Sequence, residues 1–399
     1  PVAMRRFLLI LARVVGLGCP SAPQADDPLR LHHDAIVVDT HSDTTPRFQD
    51  PSWRFDERHE TGHQDLPRMR EGGLDVQFWS IYLGEPPGKG AAIREALERI
   101  DAGHQLVAAH PDDLALATTA AEIREAVAAG KIACLMGVEG GHIIEDSLPA
   151  LRSYHRLGVR YMSLTHSFHT SWADSSGTNP VPEPVHGGLT DFGREVVGEM
   201  HRLGMMVDVS HVSDETFTDV IEATSAPVIA SHSSARAVAD HPRNMPDDML
   251  RALAENGGVV MINFDSGYID MELVEPIRGM FQKLGPESAA LRKAHADDPL
   301  ARSRAFGELL ATQEIPRTSL GVLLDHFDHA LRVAGPDHVG IGADWDGVVS
   351  MPEGMGDVSR LPALTEGLLA RGHSPETVRK VLGENLLRVM AEVEAAAGS

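Results

Sequence analysis

Histidine and carboxylate residues recur at the ends of short apolar runs in this chain. Residues 36–39 run into His41 and Asp43, 132–138 into Glu139, 205–209 into His211, 228–231 into His232, and 339–343 into Asp344. A side chain just past the carboxyl end of a buried strand is where parallel α/β folds keep their chemistry. One such ending means little, but several of them spread over most of a chain point to one converging site. Imidazole nitrogen and carboxylate oxygen are also donors that Zn²⁺ accepts well.

Taken one at a time, each residue has a plainer alternative. His41 and Asp43 are two apart, so on a strand they share a side while Ser42 faces away; alone, they could be a polar strand end. Glu139 precedes Gly140-Gly141, where the backbone can turn sharply beside a ligand, or it could simply cap that turn. His211 and His232 could each be hydrogen-bonded structural histidines. Together the five supply three imidazoles and two carboxylates, enough for two Zn²⁺ with Glu139 shared between them. A hydroxide held by such a pair would be a nucleophile at neutral pH, because zinc lowers the pKa of bound water to about 7. Asp344 is then placed to take and pass on the proton, the alternatives being an outer metal ligand or a helix cap. His166, closing the run 160–165, could donate to an oxyanion or be structural. Arg243 could clamp a substrate carboxylate with two parallel hydrogen bonds, or form a surface ion pair.

Something must hold these residues at one mouth. From about residue 31 the chain alternates β-type runs with helical patterns, which predicts parallel strands joined by crossover helices. The runs are 35–40, 76–82, 132–138, 160–164, 205–210, 227–231, 258–263 and 338–343. Most are continuously apolar, as expected of strands covered on both faces. Helical patterns fill 91–109, 120–129, 148–157, 191–203, 214–223, 247–255, 319–333 and 375–395. Eight strands with intervening helices predict an α/β (β/α)₈ TIM-type barrel over residues 31–395, with insertions at its C-terminal face. The longest is 265–318, between the seventh and eighth strands, and is expected to form small helices of its own. The irregular stretches 45–67 and 169–189 lie on the same face.

The chain has 399 residues, 42% hydrophobic and 23% charged, the balance of a globular enzyme. A net charge of −23 argues against a nucleic-acid partner, which needs clustered Lys and Arg. Two cysteines, Cys19 and Cys134, cannot make a disulfide framework. Residues 1–30 read as a signal-like or disordered segment: Met4-Arg5-Arg6 precedes a mostly apolar stretch, 7–18, too short to span a bilayer. Leu17-Gly18-Cys19 loosely matches a lipoprotein cleavage box. Export, periplasmic or lipoprotein-anchored, is thus favoured over a cytoplasmic location, and no later segment is apolar enough to cross a membrane.

The same residues, in this order, resemble the membrane dipeptidase family, also called renal dipeptidase or peptidase M19. Val38-Asp39-Thr40-His41-Ser42-Asp43 is similar to its opening strand, and Gly137-Val138-Glu139-Gly140-Gly141-His142 to its bridging-glutamate segment. Leu164-Thr165-His166-Ser167, followed by Trp172-Ala173-Asp174, resembles its substrate-histidine region. Asp208-Val209-Ser210-His211 and Ser231-His232-Ser233-Ser234, followed by Pro242-Arg243-Asn244, look like its second metal pair and carboxylate-binding arginine. Gly340-Ile341-Gly342-Ala343-Asp344-Trp345-Asp346-Gly347 resembles its catalytic-aspartate strand.

The resemblance, which runs from about Leu31 to Glu394, implies a zinc-dependent barrel that hydrolyses dipeptides. One Zn²⁺ would sit on His41 and Asp43 and the other on His211 and His232, with Glu139 bridging. His166 and Asp344 would meet the reacting carbonyl, and Arg243 the substrate's C-terminal carboxylate. It further implies a frequent tolerance of a D-residue at the second position, β-lactam opening in some members, and often a homodimer. The chain departs from the animal enzymes in lacking their disulfides and a hydrophobic C-terminal anchor signal. Two rivals stand beside this reading. One is a different amidohydrolase reaction on an N-acyl amino acid or lactam, although Lys131 precedes its strand where a bridging carbamylated lysine would end it. The other is a zinc-binding homologue without turnover.

Overall fold

The computed structural model describes residues 27–84, 90–178, 181–296 and 298–398. Most of the signal-like segment, with Cys19, lies outside the described residues.

Among the described residues there are nine strands, all parallel: β1 (Val38–Ser42), β2 (Val76–Tyr82), β3 (Leu114–Leu116), β4 (Ile132–Glu139), β5 (Val159–Ser163), β6 (Met206–Asp208), β7 (Ile229–Ala230), β8 (Val259–Ile262) and β9 (Val339–Ile341). Eight of them follow one another around a barrel in the order β1-β2-β4-β5-β6-β7-β8-β9. The last gap closes through backbone hydrogen bonds from Asp43 N to Trp345 O (2.7 Å) and from Asp344 N to His41 O (3.1 Å). The seam of the barrel therefore runs through three residues singled out for their chemistry.

β3 is an addition to the expected set. Its three residues pair with Ile132, Ala133 and Cys134 at the start of β4, below the point where β5 joins at Met136. Nothing in a run as short as Leu114-Ala115-Leu116 separates it from a loop by pattern. Other runs shorten in the structure: β7 keeps two residues of the expected five, and β1 starts three residues later than expected.

Alternation along each strand divides the apolar residues between two packing regions. Ile132, Cys134, Met136 and Val138 of β4 face the surrounding helices, whereas Ala133 and Leu135 join Val76, Phe78, Tyr161, Met206, Ile229, Val259 and Met261 inside the barrel. Leu386, Leu387, Met390 and Val393 of the C-terminal helix Asn385–Ala396 close the lower end. The same period carries Gly137 and Glu139 to the inner face above that plug. β1 needs a further device. Val38 faces the interior, so strict alternation would send His41 and Asp43 outward. An extra residue between Asp39 and Ser42, opposite Gln77 and Trp79 of β2, breaks the register. Such a bulge re-aims the side chains beyond it.

The helical patterns hold with two corrections. The stretch 375–395 is broken: a helix Pro375–Arg379 and the C-terminal helix are separated by a wider turn in which Gly383 is extended. A Cβ on Gly383 would lie 2.4 Å from Ile36 O, so the break lets the backbone press against the start of β1. The helix Asp214–Ala223 is capped by Ser213, whose Oγ accepts from Thr216 N. A helix at Leu361–Ala370 was not expected. The segment after β8 forms helices Ser266–Ile269, Met271–Ala294 and Pro299–Ala311, so one of its helices is long, with Pro276 and Pro286 inside it. Arg304 ties this insertion to the loop after β1 by an ion pair to Asp50 at 2.7 Å. No helix among the described residues is long and apolar enough to cross a membrane.

Candidate active site

The strand ends deliver the expected residues to one place. Around Glu139 Oε1 lie the Nε2 atoms of His211 (3.1 Å), His232 (3.3 Å), His41 (3.5 Å) and His166 (3.7 Å). His41 Nε2 is 4.0 Å from Asp43 Oδ2. Asp344 joins His41 and Asp43 in one cluster of donor atoms, while His166 joins Glu139 and His211 in another. The His41 and His232 rings stack with centroids 3.8 Å apart, and Glu139 Oε2 accepts from Ser80 Oγ at 3.1 Å. Side chains from β1, β2, β4, β5, β6, β7, β9 and their following loops thus meet within one buried volume.

The electrostatics of this cluster favour cations. Burial alone would lower the His41 pKa, but Glu139, Asp43 and Asp344 overcome it and lift it to about 10. Burial would raise Glu139, yet the surrounding imidazoles hold it well below the usual carboxylate range. Burial and the Glu139 charge push Asp43 well up; they also raise Asp344, against the pull of His41, Asn263 and Arg243. Burial lowers His211 and His232 far below the usual histidine value, leaving neutral imidazoles, the form that ligates metals. His41 Nε2 and Asp43 Oδ1 are buried without a hydrogen-bond partner. Leaving such groups unsatisfied costs about 1–3 kcal/mol each. The neutral imidazoles of His211 and His232, the clustered carboxylates and the unpartnered Asp43 Oδ1 form a donor set that fits bound divalent cations, and His41 carries a proton that a bound cation would replace.

Backbone strain is concentrated here as well. His211 (φ +70°) and Asp344 (φ +66°) both occupy the left-handed region, which non-glycine residues rarely adopt. Three donors converge on the His211 carbonyl: Thr165 Oγ1 (2.8 Å), Ser176 N (2.8 Å) and Ser175 Oγ (3.2 Å). Asp344 is held by its backbone bond to His41 and by Asn263 Nδ2, which donates to Oδ2 at 2.9 Å.

Arg243 stands to one side of the cluster. It is buried, donates to His232 O at 2.9 Å, and lies 5.6 Å from the Tyr268 ring centroid. Its Nε has no partner, and no carboxylate comes within ion-pair distance of it among the described residues. That removes the surface-salt-bridge alternative. Across the cluster, Tyr82 and Phe168 flank the His166 ring. Lys131 is distant in role as well as place: its Nζ donates to Pro111 O at an exposed position.

Several contributors were not singled out from sequence. Asn263 ends an apolar run as the others do, so the strand-end rule reaches it once amides are admitted. Ser80 and Tyr161 carry no such signal, because their contacts cross strands. Gly347 is another: a Cβ there would lie 2.2 Å from Asp344 Oδ1 and 2.3 Å from Asp43 Oδ2.

A parallel barrel with imidazoles and carboxylates converging at its C-terminal mouth defines the class of metal-dependent barrel hydrolases. The chain belongs to the membrane dipeptidase family, peptidase family M19, whose model matches residues 26–399. It is therefore a metallo-dipeptidase, a hydrolase of peptide bonds. Among solved structures it is similar to the probable dipeptidase PvdM from Pseudomonas aeruginosa (25% identity, TM-score 0.79, 93% of this chain and 98% of that one). It is similar too to a metallopeptidase named dipeptidase AC (29%, 0.75, 92% and 99%). A third is a metallopeptidase from Rhodobacter sphaeroides (28%, 0.73, 90% and 100%), whose structure holds a phosphinate mimic of the dipeptide L-Ala-D-Ala.

Proposed function

We propose that this metallo-dipeptidase uses two Zn²⁺ to cleave free dipeptides, including those with a D-residue at the C-terminal position. The observation that carries the substrate reading is Arg243, a buried guanidinium with an unpartnered Nε beside the imidazole and carboxylate cluster. A buried charge without a partner is costly unless a ligand supplies the counter-ion. A free carboxylate one residue beyond the scissile bond is such a ligand, and the demand for it sets the length of the peptide. The L-Ala-D-Ala mimic bound by the Rhodobacter sphaeroides relative supports the D-residue.

His41 and Asp43 would hold one cation, His211 and His232 the other, with Glu139 offering an oxygen to both. Bound Zn²⁺ supplies a Lewis acid for the carbonyl and a water acidified to a pKa of about 7. The chain's own groups do the rest. Arg243 fixes the substrate carboxylate and so sets the peptide's register. His166, neutral because burial lowers its pKa, donates a hydrogen bond to the carbonyl oxygen as negative charge develops there. Asp344 takes the proton of the attacking water and delivers it to the leaving amine. Its place suits that role, since it shares one cluster of donor atoms with His41 and Asp43. Asn263 keeps the Asp344 carboxylate oriented throughout.

The test is a dipeptide library with L- and D-residues at the second position, assayed with zinc-reconstituted protein whose metal content is measured. Cleavage of free dipeptides, with no turnover of N-acyl amino acids or lactams, is expected. Preference for N-acyl amino acids would replace this reading with another amidohydrolase reaction. Two bound zinc ions with no cleavage of any dipeptide would make the chain a non-catalytic homologue.

A further inference from the structure

We propose that Tyr161 and Ser231 are positioning residues that fix the protons of His41 and His232 on Nδ1 and so aim both Nε2 lone pairs into the centre. The inference rests on the ligand roles proposed above for these two histidines.

The argument is a count of protons. Tyr161 carries one hydroxyl proton, and its Oη is 3.0 Å from the Thr40 carbonyl, which can only accept. The hydroxyl proton is thereby committed, and Tyr161 Oη meets His41 Nδ1 at 2.9 Å as an acceptor. Nδ1 of His41 must bear the proton, and Nε2 is the nitrogen left for a cation. His232 is arranged in the same way by different residues. Ser231 Oγ is 2.6 Å from Asp208 Oδ2 and 2.8 Å from His232 Nδ1. Asp208 accepts throughout: Ser210 N at 3.0 Å and Ser231 N at 2.8 Å reach Oδ1, and Ser163 Oγ also reaches Oδ2. The Ser231 proton therefore goes to Asp208, and Ser231 Oγ can only accept from His232 Nδ1.

The barrel is shaped to allow this. Tyr161 is fully buried, and its ring fills a hollow over Gly137, where a Cβ would lie 2.0 Å from the ring. The ring cannot swing away, so the hydroxyl is a fixed acceptor. The two locked rings are the stacked pair, whereas His211 Nδ1 has no partner. His211 is instead held through its strained backbone and the three donors on its carbonyl.

The experiment compares Tyr161→Phe and Ser231→Ala with wild type in the full chain. Thr365→Val serves as control, because it removes another buried hydroxyl-to-histidine contact, to His32. Zinc affinity is read by chelator competition, and stability by the melting temperature of metal-free protein. Both test variants are expected to lose roughly 10- to 100-fold in zinc affinity; the control is expected to lose stability alone. In ¹⁵N NMR of zinc-loaded wild type, Nδ1 of His41 and His232 should carry the proton, and Tyr161→Phe should unprotect the His41 proton toward exchange. Competition curves that overlay wild type, or a proton found on Nε2, would overturn the proposal. If Tyr161→Phe does not fold, Ser231→Ala and the wild-type spectrum still decide it. Zinc binding without dipeptide cleavage would remove the proposed function and leave this test intact.

Discussion

Gly347→Ala is the sharpest probe of the geometry, because it adds one methyl at an exposed position. Its backbone is outside the left-handed region, so alanine meets no conformational obstacle. Exposed substitutions away from crowded or strained groups usually change stability by no more than about 0.5 kcal/mol. The methyl carbon would nevertheless lie 2.2 Å from Asp344 Oδ1 and 2.3 Å from Asp43 Oδ2. Ordinary carbon–oxygen contacts begin near ~3.3 Å, so both oxygens must retreat by about 1 Å. Neither has slack. Asp344 is bound to Asn263 at 2.9 Å and holds a strained backbone, and Asp43 N is bound to Trp345 O at 2.7 Å in the barrel seam. A misplacement of about 1 Å at reacting groups costs on the order of 100-fold. The expected outcome is a kcat/KM roughly 100-fold below wild type, with a stability loss of about 1 kcal/mol, the lower end of overpacking costs. Steady-state kinetics on the best dipeptide, metal content and a thermal melt measure these together. Full activity with full metal occupancy would show that Asp43 and Asp344 do not work where the structure puts them. A fall in stability matching the fall in activity would show that the effect is not local.

Asp344→Asn should retain both metals and lose about 10²- to 10⁴-fold in kcat; metal analysis showing parallel loss of cations would refute the proton-transfer role. Arg243→Ala should raise KM for free dipeptides by roughly 10- to 100-fold, the worth of a charged hydrogen bond. C-terminally amidated substrates should not feel it, and an equal loss on both would sink the clamp. His326 gives a pH prediction away from the metal centre. Its Nδ1 accepts from Ala235 N and its Nε2 donates to Ile269 O, tying the loop that bears Arg243 to the insertion. Burial lowers its pKa to about 4 from 6.5. The folded value is depressed, so this stabilisation is complete above pH 6.5 and is lost as pH falls toward 4. Linkage puts the loss between pH 7 and pH 5 at ~2 kcal/mol. Urea melts at the two pH values should show a pH-dependent loss ~2 kcal/mol smaller in His326→Gln than in wild type; equal losses in the two would refute it.

Residue types and their spacing were enough to announce the barrel and the donors. Continuously apolar runs and the helical spacing between them are local properties, written wherever a strand is buried on both faces and a helix covers it. The strand-end rule found His41, Asp43, Glu139, His211, His232 and Asp344 because they follow five apolar runs, the first of which serves both His41 and Asp43. What the order of residues does not carry is phase and distance. That His41 and Asp43 face inward depends on a bulge against β2, visible only once the register is known. Asp344 meets Asp43 because the barrel closes there, some 300 residues apart along the chain. Tyr161 meets His41 only because Gly137, on the neighbouring strand, leaves room for its ring, and Arg243 stands out as a candidate for substrate recognition only once it is seen buried without a carboxylate in ion-pair distance among the described residues. Side-chain chemistry is written residue by residue, whereas pKa, tautomer and strain arise from neighbours brought close by packing, so only the tertiary structure decides them.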